Sequence, residues 1–287
     1  MTDFCGHPVA TLQNDQLRLE YLSDVGPRVA RLFFSGGNNL LAELPDLFLD
    51  TSYGRFEFMG GHRLWFAPEE LPGTYVPDQP VVVENIPNGV RITASAQLPK
   101  PVSKSMDIQL AEQAAKVTVR HSLRNMGTAS VVHAPWALTM FRLGGTLILP
   151  QPEGKPDSLL PNRWLALWPY TRINDPRIKL DDDYALVHAN AGLPAAKIGT
   201  YNQHGWVAYW LEGVLALKRF AVLAMDAYPD GGCNVEAYCN DRFIEMETLG
   251  PLTTLAPGED VTFEESWEFY PGLDQSLIPE TLRKRLL

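Results

Sequence analysis

The chain of 287 residues is 45% hydrophobic and carries a formal net charge of −10, so it can bury a large core and offers no basic stripe to nucleic acid or an anionic membrane surface. No apolar run approaches the roughly 20 residues of a membrane span, and the opening MTDFCGHPVATLQNDQ lacks the basic start and apolar stretch of a secretory signal. Cys5, Cys233 and Cys239 make no disulfide framework and read as free thiols, which predicts a reducing, cytoplasmic setting.

Along the chain the hydrophobic period is mostly two, the spacing of strands. Residues 9–22 read as two short strands around Asn14-Asp15, followed by a strand over 29–34 and a Ser-Gly-Gly-Asn-Asn turn. Residues 41–49 read as a short helix. Residues 81–86 and 90–96 flank Pro87-Asn88-Gly89 as a hairpin, and 105–110 pairs with 115–123. Two strands, 205–211 and 214–220, meet at Glu212-Gly213. The segment 228–270 reads as two adjacent strands, a turn and a closing strand. A second short helix is expected over 275–287. Many short strands with frequent turns predict an all-β sandwich, one domain over 1–287 with its core at about 8–271 and a tail at 272–287.

Four segments carry candidate chemistry. In 234–240, Asn234, Glu236, Tyr238 and Asn240 share one parity while Val235, Ala237 and Cys239 share the other. In the next run Phe243, Glu245 and Glu247 point one way, Ile244 and Met246 the other. Three glutamates on neighbouring strands, interleaved with aromatics, suit a polyhydroxylated ligand; the alternative is a half-exposed sheet with a solvated acidic face. In the second segment Gly60-Gly61 permits a tight turn or a close approach to a ligand, and His62, Arg63 and Trp65 follow at once. A ring face with a guanidinium fork grips sugar C–H and hydroxyl groups; the alternative is a loop whose aromatics plug the core. The third holds His133, a candidate acid or base, and Trp136. In the fourth, Trp164 and Trp168 are expected in the core, with Trp168, Tyr170 and Arg177 at a pocket rim. No nucleotide-binding glycine motif, no G-x-S-x-G elbow and no metal-ligand spacing is present, so neither cofactor nor metal is expected.

The order of several motifs resembles the galactose mutarotase-like superfamily, the aldose 1-epimerases and their relatives. The matching residues are Leu12-Gln-Asn-Asp15, Val25-Gly-Pro-Arg-Val-Ala-Arg-Leu32, Gly37-Asn-Asn-Leu-Leu41, Gly60-Gly61 before Trp65-Phe66, Ile244-Glu-Met-Glu-Thr248 and Leu255-Ala-Pro-Gly-Glu259. The resemblance implies a β-supersandwich of large antiparallel sheets with a sugar groove on one concave surface. It implies a small-molecule sugar as partner and an acid–base pair across the hemiacetal. A strand glutamate, Glu247 or Glu245 here, takes the anomeric proton, and a histidine protonates the ring oxygen. The histidine is where the chain departs, since Pro135 or Trp136 occupies its place; His62 and His133 are the candidate replacements. Arg63, Trp65, Trp136, Arg177, Asn234, Glu236 and Tyr238 are the candidate substrate contacts. The same fold would also serve a non-catalytic sugar-binding protein, or a carbohydrate lyase or hydrolase.

Overall fold

The computed structural model describes residues 3–97, 99–153, 157, 159–272 and 274. Their strands assemble into two antiparallel sheets of twelve and eleven strands. Five neighbouring strands at the heart of the first sheet matter most for function: Gly54–Ala67, Val131–Phe141, Ile244–Leu249, Val235–Cys239 and Ala196–Thr200, in that spatial order. The second sheet is centred on Val214–Phe220, Asp260–Pro271 and Lys116–Asn125.

Alternation explains why these segments are strands. In Lys116–Asn125, Val117, Val119, His121 and Leu123 are buried while Lys116, Arg120 and Arg124 are exposed, so one register puts every apolar side chain on one face. The inward residues of both sheets, among them Leu64, Ala137, Ile198 and Met246 from one and Ile92, Val117, Val207 and Trp267 from the other, share one apolar cluster. That shared layer makes the molecule a sandwich. Burying its apolar area is the main favourable contribution to folding.

The predicted strands over 9–22, 29–34, 81–96 and 205–220 are all present. The helix expected over 41–49 is instead the strand Glu43–Thr51, which pairs with Gly54–Ala67; hairpin pairing overrides the weak local preference. The second helix, expected over 275–287, lies outside the described residues. Among the described residues no helix is long and apolar enough to cross a membrane.

Gly60 and Gly61 adopt φ of +92° and +75°, and they kink the long strand so that its halves find different partners. A Cβ would lie 2.1 Å from the Ala42 carbonyl oxygen at Gly60 and 2.2 Å from that of Val29 at Gly61. The glycines thus admit neighbouring backbone rather than a ligand. Arg28, fully buried, donates to the Phe58 and Gly60 carbonyls at 3.0 and 2.7 Å and pairs with Asp78 at 2.7 Å, fastening the kink. Gly60→Ala is expected to destabilise the protein by at least the 1–3 kcal/mol, roughly, of the strained dihedral, with the backbone clash adding to it. Chemical denaturation reads the loss directly.

Candidate functional site

Register builds the site. Trp65 stands opposite Trp136, which stands opposite Leu249. In the adjacent row Arg63 faces Leu138, then Glu247, then Glu236. In the third, Glu245 faces Tyr238, which faces Lys197. Because side chains alternate, all of these project from one face of the sheet, while Leu64, Ala137, Met246, Ala237 and Ile198 project into the core. Arg63, Trp65, Trp136, Tyr238, Glu236, Glu245 and Glu247 are therefore brought together on one face, and the shared parities of Glu236 with Tyr238 and of Glu245 with Glu247 are those read from the alternation.

Above this face lies a cavity of about 200 Å³ lined by Arg63, Trp65, Trp136, Lys197, Tyr238 and Glu245, with Tyr75 and Tyr170 as walls. The Arg63 guanidinium stacks 3.9 Å over the Trp65 ring. Its Nη2 is 3.5 Å from Glu245 Oε1, yet Nε and Nη1 have no hydrogen-bond partner, and neither does Glu245 Oε1. Burial pulls Arg63 down to about 10 and pushes the Glu245 carboxyl up to about 8, with Glu247 adding to the rise. Glu245 is thus protonated at neutral pH.

Lys197 is the hub that the sequence reading left out of the site. Its ammonium donates to Glu247 Oε2 at 2.9 Å and contacts Glu236 Oε2 at 2.7 Å. The Glu236 contact is off hydrogen-bond alignment and leaves both Glu236 oxygens without a donor. The Trp136 indole Nε1 also donates to Glu247 Oε2, at 2.8 Å, and the ammonium lies under 5 Å from the Trp136 and Trp168 rings. Burial opposes the charge on Lys197, but Glu236 and Glu247 outweigh it and hold the ammonium well above the usual lysine range. Glu236 is pushed well above the usual carboxylate range by its burial, with Glu247 adding to the rise and Lys197 working against it.

The histidines lie elsewhere. His62 is adjacent to Arg63 and so faces the core, fully buried. Its Nδ1 meets Thr139 Oγ1 at 2.8 Å, and its Nε2 meets His121 Nε2 at 2.8 Å. His133 shares the core-facing parity and packs 4.5 Å from the Phe66 ring. Neither lines the groove, so neither is placed as the acid. Arg177 is a buried clamp, bound at both ends of Asp175 at 2.9 and 2.8 Å and to the Pro194 carbonyl at 2.6 Å. Asn234 is spent on Asn202, accepting from its backbone N–H and donating to its carbonyl. Trp164 is 49% exposed rather than core, whereas Trp168 stands at the groove with Tyr170.

His62, His121 and Glu265 group closely enough to suggest a cation site, but Lys218 Nζ already pairs with both Glu265 oxygens at 3.2 and 3.1 Å. A second cation there would leave excess positive charge in the core. The histidines are neutral: burial holds His62 well below its ordinary range and pulls His121 to about 4. A histidine with a depressed folded pKa contributes its full stability above its unfolded value near 6.5 and loses it as pH falls toward 4. The expected loss from His121 alone is about 3 kcal/mol between pH 6.5 and 4, visible in urea titrations across that window.

No family model matches the chain, and no curated protein matches it in sequence. Solved structures do resemble it. A candidate aldose 1-epimerase of Escherichia coli K12 superposes with a TM-score of 0.59 at 14% identity, over 93% of this chain and 100% of the other. A galactose mutarotase-like protein of Lactobacillus casei gives 0.60 at 11% identity, over 92% and 100%. A TPR-domain-containing protein of Parabacteroides distasonis gives 0.65 at 14% identity over 94% of this chain, which spans only 48% of that one. The fold is therefore galactose mutarotase-like, an all-β supersandwich.

Proposed function

We propose that the groove binds a sugar and interconverts its anomers, in the manner of an aldose 1-epimerase but with a carboxyl pair in place of glutamate and histidine. The observation that carries this reading is the pairing of an aromatic-lined cavity with buried, unpartnered atoms of Arg63 and Glu245 at its wall, since such atoms gain most from a ligand rich in hydroxyls. Glu245, protonated at neutral pH, donates to the ring oxygen as the C1–O5 bond breaks. Glu247, whose Oε1 is free of protein partners, accepts the anomeric hydroxyl proton as C1 becomes a carbonyl. Rotation about C1–C2 and the reverse transfers close the ring as the other anomer, returning both protons. Arg63, Trp65, Trp136 and Tyr238 hold the sugar, with no cofactor. The three free thiols suit a reducing, cytoplasmic setting.

Proton exchange spectroscopy on aldoses, uronates and sugar phosphates tests the proposal. Accelerated α/β exchange with one sugar supports it. A second reading, binding without turnover, is favoured by the Lys197 ammonium seated on Glu247 Oε2. It predicts line broadening with no exchange, an outcome that rejects the catalytic reading.

A further inference from the structure

The groove does not end at the 200 Å³ cavity. Phe58, Glu69, Tyr75, Trp136 and Lys197 are shared with a second, more open cavity of about 520 Å³, whose further walls include Leu49, Leu71, Trp168 and Asp230. The inner space is closed by arginine, tyrosines and tryptophans. The outer space is walled in part by exposed apolar side chains, Leu71 at 70% and Leu49 at 36%, with Glu69 and Asp230 among its lining residues. Exposed apolar surface beside a ligand cavity marks ground that a partner covers. Carboxylates between such surfaces accept hydrogen bonds from hydroxyls and repel anions.

From this continuity we infer that the groove takes a neutral sugar of at least two rings, reducing ring inward against Arg63 and Glu245 and the next ring outward between Leu71 and Trp168. The inference rests on the sugar-binding reading above and names its substrate class. The inner ring uses the polar wall. The outer ring lays its C–H face on Trp168 and Leu71 and gives its hydroxyl protons to Glu69 and Asp230. A uronate as outer ring is disfavoured by those two carboxylates.

Titration calorimetry with glucose, galactose, maltose, cellobiose and lactose tests it, using the full chain and Leu71→Arg. Leu71 lines only the outer space and is largely exposed, so the variant is expected to fold, which its melting temperature verifies. At least one disaccharide is expected to bind tenfold or more tighter than its own reducing monosaccharide, with that ratio falling toward one in Leu71→Arg. Equal affinities for the mono- and disaccharides of every pair overturn the two-ring inference while leaving the sugar-binding reading standing. A ratio unchanged by Leu71→Arg overturns the placement of the outer ring. No binding by any of the five overturns the neutral two-ring inference, while the sugar-binding reading is then decided by the uronates and sugar phosphates of the exchange experiment.

Discussion

Replacing Glu245 by Gln is expected to slow anomer exchange by at least a hundredfold at pH 7 while leaving sugar affinity within a few fold. A positioned general acid contributes about 10²–10⁴ in rate, and glutamine keeps the shape and hydrogen-bonding reach but cannot give up a proton. In the wild type the rate is expected to fall as pH rises through about 8, where Glu245 ionises; the variant has no such limb. The same substitution is expected to stabilise the fold at alkaline pH. A carboxyl whose folded pKa lies above its unfolded value near 4.5 remains protonated in the folded chain while the unfolded chain ionises, so its contribution is lost as pH rises from 4.5 to 8. Removing that titration yields a gain of about 4 kcal/mol at pH 8 relative to pH 4.5. Exchange spectroscopy and urea titration at two pH values read both effects. Exchange surviving in Glu245→Gln removes the residue from the mechanism.

Much of this site was legible because period two is the strongest local signal in a strand. The parities of Glu236, Tyr238, Glu245 and Glu247 follow from apolar neighbours at every second position, and Trp136 follows the same way from Ala134 and Leu138. What sequence could not supply was which face of a doubly apolar strand meets the groove. In His62-Arg63-Leu64-Trp65 both parities carry large side chains, and the kink at Gly60-Gly61 removes any run of alternation leading in from before. His62 was consequently a candidate acid, and the structure turns it inward. Lys197 reads from the sequence as a surface or sheet-edge charge, or at most a contact for a phosphate or uronate, because its partners Glu236 and Glu247 are distant in the chain, the latter by fifty positions, and no local pattern announces a long-range ion pair. The opposite holds for Arg177, whose partner is Asp175. That i,i+2 pair stood in the sequence as a local clamp, and it competes with any reading of the arginine as a free ligand contact.

Lys218→Met is expected to destabilise the protein by about 3–5 kcal/mol, the range for stripping one partner from a buried ion pair. Lys218 and Glu265 are 3% and 0% exposed, and Glu265 also accepts from the Trp267 indole at 2.9 Å and from the Thr248 hydroxyl. Burial pulls Lys218 below the usual lysine range despite Glu265. Burial works to raise Glu265, but Lys218 and its other neighbours hold it below the usual carboxylate range. With the ammonium gone, the Glu265 charge keeps the Trp267 and Thr248 donors but, among the described residues, has beside it no ion-pair partner other than the neutral His121. Lys218→Met with Glu265→Gln removes both charges, keeps the amide oxygen as acceptor for the Trp267 indole and turns the amide NH2 into a donor to the Thr248 hydroxyl, so the double variant is expected to recover most of the loss, with a coupling of at least 2 kcal/mol or so in the cycle. Thr248 follows Glu247 directly, so the interior pair also fastens the strand that carries Glu247 and the groove-lining Glu245. Sugar affinity measured on folded Lys218→Met should therefore weaken along with stability, whereas the double variant should restore both; stability recovered without affinity would mean that Lys218 itself is needed to position the groove.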